Sequence, residues 1–156
     1  MAKWRNTDAV DAFSRAIDAS PNFAYAHGLL GCAHSAGGRP EQAIECIDRG
    51  VRLSPRDLFG DEYQLYYAFA HFQAGRYAEA ASAALLGIQQ HPDHYIMAAA
   101  SCGLGGETEK ARGLVTQLTG LVPNISAADL EKNFHYCQQD DRIRMAMGLR
   151  AGGLPG

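Results

Sequence analysis

Three times along the chain a glycine is followed five residues later by an alanine, and twelve residues after that by a proline. The sets are Gly38, Ala43 and Pro55; Gly75, Ala80 and Pro92; and Gly106, Ala111 and Pro123. A partial copy at the start keeps Ala9, Phe13, Ala16 and Pro21. The four prolines lie 34, 37 and 31 residues apart. A unit of that size holds one supersecondary motif, which cannot bury its apolar face without neighbours of its own kind. The repeat therefore restricts the chain to a stacked array before any other property is considered.

Each repeated position has a physical use. A glycine between two helices supplies the positive φ that turns a corner without steric cost. A small residue opening the second helix, with another seven on (Ala16, Gly50, Gly87), lets two helices approach closely. Proline ends that helix because it cannot continue the hydrogen-bond ladder. Large residues three and four apart fill the layer between units. This grammar resembles the tetratricopeptide repeat, whose period is 34 residues and whose pattern is W-x2-L-G-x2-Y, then A-x3-F, then P. The second copy reads His27, Leu30, Gly31, His34, Ala43, Ile47, Gly50 and Pro55, with histidine at both aromatic positions. The third reads Gln64, Tyr67, Ala68, His71, Ala80, Ala84, Gly87 and Pro92, and the fourth Tyr95, Ala98, Ala99, Cys102, Ala111, Val115, Leu118 and Pro123.

The expected fold is an all-α superhelix of helix pairs, A then B, with no sheet, since no segment alternates apolar and polar over a strand's length. Helices are expected near residues 6–19, 23–36, 40–52, 60–74, 77–90, 94–104 and 107–121, with two more in the tail. One domain is expected: a truncated first repeat (1–22), three full repeats (23–57, 58–92, 93–124) and a capping segment (125–156).

Composition narrows the partners. The chain has 156 residues, 47% hydrophobic and 20% charged, which suits a globular domain. With 14 Lys+Arg against 17 Asp+Glu the net charge is −3, so the basic surface that nucleic acid or an anionic membrane requires is not expected. No apolar run approaches the roughly 18–20 residues of a spanning helix. Arg5, Asp8 and Asp11 break any leader-like apolar stretch, so a cytoplasmic protein is expected. Cys32, Cys46, Cys102 and Cys137 lie far apart without a C-x-x-C pair and read as buried free thiols.

Several strings narrow the family further: Ser20-Pro21-Asn22-Phe23-Ala24, Arg52-Leu53-Ser54-Pro55-Arg56-Asp57 and Gly75-Arg76-Tyr77-Ala78-Glu79-Ala80. The tail adds Gly148-Leu149-Arg150-Ala151-Gly152-Gly153-Leu154-Pro155. From about residue 8 onward the chain resembles the C-terminal tetratricopeptide region of bacterial class III adenylate/guanylate cyclases and related regulators. The resemblance implies a regulatory or interaction region, and it brings no catalysis. A class III catalytic domain is an α/β fold with paired metal-binding aspartates, and the repeats already occupy this chain.

Enzymatic chemistry finds little support elsewhere. There is no G-x-S-x-G elbow, and no cysteine stands at a recognisable spacing from a base. Gly103-Leu104-Gly105-Gly106 lacks the Lys-Ser/Thr of a phosphate loop and reads as a repeat corner. His91 and His94 flank Pro92 and are expected as exposed turn residues, while His34 and His71 are expected packed and hydrogen-bonded. No metal or cofactor is expected, because paired ligand spacing is absent.

A protein or peptide partner is expected in the concave groove lined by the A helices. In repeat register the second repeat contributes Tyr25, Gly28 and Cys32, the third Leu65, Phe69 and Phe72, and the fourth Ile96 and Ala100. Gly28, Cys32 and Leu65 stand where a chaperone-type clamp would place Lys, Arg or Asn, so an apolar or mixed ligand is favoured over a peptide carboxylate. Tyr67 and Phe72 are divided between core and groove. The tail, with Leu130, Phe134, Ile143 and Met147, is expected to cap the last repeat rather than fill the groove. Ser126, three residues before Asp129, reads as a helix N-cap. Two other readings stand beside the scaffold. One is self-association through the N-terminal face of Phe13 and Ile17, giving a homodimer; the other is an enzyme with a Cys/His site assembled in space.

Overall fold

The structure is a computed structural model describing residues 6–56, 60–87, 91–134 and 138–156. Among the described residues all regular structure is helical. The helices are α1 (Asn6–Ala19), α2 (Ala24–Ala36), α3 (Pro40–Leu53), α4 (Gly60–Gln73), α5 (Tyr77–Leu86), α6 (Pro92–Leu104), α7 (Thr108–Leu121), α8 (Ala127–Asn133) and α9 (Gln139–Ala151). The pairs α2/α3, α4/α5 and α6/α7 form successive hairpins, and the second helix of each pair packs on the first helix of the next. The result is the expected α-α superhelix.

The corners are built as the sequence predicts. Gly38, Gly75 and Gly106 have φ of 72°, 76° and 83°. Beyond each, the next amide reaches back five residues to close the helix end: Arg39 to His34 O, Arg76 to His71 O and Glu107 to Cys102 O, all at 2.9 Å. The same closure recurs once more, at the end of α9. Gly153 has φ 91° and Leu154 N donates to Leu149 O at 3.0 Å.

The small residues bring helices together. Ala43, Ala80 and Ala111 are fully buried. A Cβ on Gly31 would lie 2.8 Å from Ala43 O, and one on Gly50 2.9 Å from Ala24 O. A Cβ on Gly87 would strike the His94 ring. That last contact corrects the expectation of an exposed His94. The ring is buried in the space that Gly87 leaves, and Nδ1 lies 3.0 Å from Ala84 O.

Two boundaries also differ from expectation. α5 stops at Leu86 rather than near residue 90, and α6 begins at Pro92 rather than 94. Proline suits the first helical turn, where its missing N–H has no partner to lose. His91 caps that turn, its Nδ1 accepting from Asp93 N at 3.2 Å. Ser126 caps α8 as expected, accepting from Asp129 N at 3.1 Å.

The core runs from α4 to the end of the chain. α6 is at its centre, buried continuously from Ile96 to Cys102. It carries no charge over that stretch and is enclosed by α5, α7 and α9, as an all-round apolar helix must be.

Candidate functional site: the groove of the first helices

The first helices of the three hairpins, α2, α4 and α6, lie side by side and line the inner face. That face is divided into an open end on α2 and α4 and a covered floor on α4 and α6.

At the open end Tyr25, Cys32, Glu62 and Tyr66 are half-buried. Tyr25 and Tyr66 each donate a hydroxyl to Glu62 Oε2, both at 3.1 Å, tying α2 to α4 around one carboxylate. Gly28 accounts for the close spacing, since a Cβ there would meet the Tyr63 ring. Burial pushes the Cys32 thiol up to about 11, and the negative charge of Glu62 adds to the shift. Burial likewise raises the thiols of Cys46 and Cys102. A protonated thiol is a poor nucleophile, so nothing here activates a cysteine for covalent chemistry. Cys137 lies outside the described residues.

On the floor, Phe69, Phe72 and Ile96 are 4%, 2% and 3% exposed, against the expectation of an open groove. The chain's own C-terminal segment lies on them. The Phe134 ring is 5.7 Å from that of Phe69, and the Arg144 guanidinium sits 5.5 Å above the Phe72 ring. Leu65, half-buried, packs at the edge of the same cluster. Ala100 is fully covered, because α9 crosses α6 there with almost no side chain between the backbones. A Cβ on Gly148 would collide with Ala100 O, and one on Gly103 with Gly148 O. Gly152 touches α7, where a Cβ would lie 3.1 Å from Ala111 O.

A polar seam fixes the near end of this segment. Gln138 Nε2 donates to Ala36 O at 2.6 Å. Gln73 Nε2 donates to Ser35 O at 2.6 Å and to Asp141 Oδ2 at 3.1 Å, while Ser35 Oγ donates to Gln73 Oε1 at 3.0 Å. Arg144 donates to the Asp141 carboxylate, and to Gln73 O and Tyr77 Oη, both at 3.3 Å. Asp141 is 7% exposed and thus a buried carboxylate with both a cation and an amide as partners.

The tail lies on the groove floor and reaches as far as α2, which corrects the expectation that it caps the last repeat rather than filling the groove. Its buried apolar residues include Phe134, Met145, Leu149 and Leu154, whereas Ile143 and Met147 are exposed. The Gly148-to-Pro155 motif gains a physical meaning. Gly148 and Gly152 seat α9, Gly153 turns the corner, Leu154 is buried, and Pro155 O accepts from Ala127 N at 2.9 Å.

Tyr67 is half-buried and packs at the edge of the core. On the outer side of α4 its hydroxyl donates to Asp48, it stacks on His71, and with Gln64, His71, Ala83 and Leu86 it lines a shallow cavity of about 430 Å³. Among the described residues no group of three or more His, Cys, Asp or Glu could hold a metal ion, and no helix is long and apolar enough to cross a membrane.

A family profile described as tetratricopeptide repeat matches residues 5–57 and again 29–95, which together span more than half of the chain. The chain is a tetratricopeptide-repeat protein. The first helices of the hairpins, α2, α4 and α6, are termed A helices and the second ones, α3, α5 and α7, B helices; α1 packs on α2. Among solved structures the chain is similar in fold to the crystal structure of MamA, with TM-score 0.66 and 20% identity over 92% of this chain and 84% of that one. No curated protein matches the chain by sequence.

Proposed function

We propose that this tetratricopeptide region is a non-enzymatic protein–protein interaction module of the cytoplasm, whose partner enters the A-helix groove at its open end. It serves as the regulatory or interaction region of a larger cyclase-like signalling protein. The observation that carries the reading is the pairing of Tyr25 and Tyr66 on one carboxylate beside Cys32, half-buried on the inner face. Aromatic groups already held in place lose little entropy on binding and commonly dominate interface energy. The tetratricopeptide fold supports a scaffold, and the raised thiols argue against a cysteine enzyme.

Photo-crosslinking tests the groove. A benzophenone side chain at position 25 or 66 is expected to trap a partner in cells, whereas one at Thr116 on the exposed face of α7 is not. Equal trapping from all three positions would refute a groove-directed interaction. The signalling reading predicts an in-frame cyclase domain in the natural gene, and its absence would remove that half of the assignment.

A further inference from the structure

The floor of the groove is fitted to a helix. Its seat on α6 consists of Ala100 and Gly103, where the backbone of α9 makes contact through Gly148. One turn of α9 beyond that contact, Gly152 rests against Ala111 of α7. Toward the other end, Asp141 and Arg144 lie one turn apart and engage Gln73, Tyr77 and the face of Phe72. α9 also carries the signature of an A helix. Ala146 stands seven residues before Gly153, as Gly31, Ala68 and Ala99 stand before Gly38, Gly75 and Gly106. It lies along α6 itself and against α8, however, with only slight contact to α7, whereas α4 and α6 each pack more closely on the preceding B helix, α3 or α5, than on the preceding A helix.

The attachment of its first turns is polar, through Asp141 and Arg144, whereas Met145, Ala146 and Leu149 further along are buried in the core. Hydrogen bonds and a buried ion pair fix where a helix sits more than they add to its stability, because desolvation offsets much of their gain. A helix held in this way is specified in register and can still be exchanged.

We propose that α9 is a removable occupant of the groove floor, and that the partner which replaces it is a helix of the same chemistry. Such a helix has small residues four apart facing α6 and a carboxylate–guanidinium pair one turn apart over Phe72 and Gln73. The inference rests on the groove being the interaction face. The partner's anchor enters at Tyr25 and Tyr66, and its helix continues onto the floor as α9 leaves.

The test uses the full chain and a fluorescent synthetic peptide of residues 138–156 as the probe helix. Native-state hydrogen exchange of the unaltered chain is expected to show α9 amides exchanging at least about tenfold faster than those of α6, through an opening that leaves α4 to α7 protected. Asp141→Asn with Arg144→Gln is expected to widen that gap and to give saturable peptide binding that the unaltered chain lacks. Exchange of α9 in step with α6 in the unaltered chain would overturn the proposal, and that result does not depend on any variant folding. Dimerisation of the variant in place of peptide binding would overturn the partner assignment in favour of α9 exchange between copies. Crosslinking at position 66 together with an α9 that never opens would leave the groove reading standing and remove this inference alone. An α9 that opens and binds peptide, without groove crosslinks, would do the reverse.

Discussion

Gly113 and Gly148 both lie inside helices, yet they are opposite in kind. Nothing lies within 4 Å of where a Cβ on Gly113 would be, and the residue is exposed on α7. Gly113→Ala should therefore stabilise the fold by about 0.5–1 kcal/mol, the usual helix-propensity gain. At Gly148 the same methyl would collide with a backbone carbonyl of α6, which cannot rotate away. Gly148→Ala should cost about 1–3 kcal/mol, as overpacking does. Urea denaturation of the two variants measures both, and equal effects would contradict the close crossing. Cys32 gives a second residue-scale expectation. With its thiol held near 11, labelling by a maleimide at pH 7.5 should be far slower in the folded chain than in urea.

At the scale of elements, the α5–α6 junction links pH to stability. Burial keeps the His94 imidazole below its ordinary range, partly offset by the Ala84 carbonyl; burial also lowers His34 and His71. In the unfolded chain these groups take up a proton near about 6.5, whereas the folded chain resists it. Stability should thus be flat above neutrality and fall as pH drops through 6.5. The raised carboxyl of Asp93, which burial favours protonated, acts in the opposite sense at lower pH. The midpoint of urea unfolding against pH checks this, and His94→Gln should flatten part of the slope. The helices themselves were legible because glycine and proline punctuate them at fixed intervals. The reading of His94 failed for a definite reason: its neighbour Pro92 marks both the end of one repeat and the first turn of the next helix. Gly87 is a small residue at its repeat position, but sequence does not say what fills the space it leaves. Helical spacing places Tyr25, Cys32 and Phe69 together as groove candidates and leaves Phe72 divided between core and groove, and it gives no sign of the cover over Phe69 and Phe72. That cover depends on contacts between residues 68 and 102 positions apart in the chain, Gln73 with Asp141 and Ala36 with Gln138. The one local clue was Ala146 before Gly153, the spacing that marks an A helix.

For the molecule as a whole, repeat arrays gain stability mainly from nearest neighbours and can unfold piecemeal. Here the C-terminal segment touches α2, α4, α5, α6 and α7, so it ties distant repeats into one unit. Gly148→Leu, by unseating α9, should lower the urea m-value by roughly a tenth, since m follows the surface exposed on unfolding. An unchanged m-value would mean that α9 stays docked despite the clash. Because residues 138–156 fasten elements made long before them, the hairpins can stack during translation while the floor at Phe72 and Ala100 remains uncovered. At about 5–20 residues per second, this last stretch takes about 1–4 s to be made. During synthesis the nascent chain therefore displays the apolar surface that the finished protein hides, and a partner acting at that stage meets no competitor.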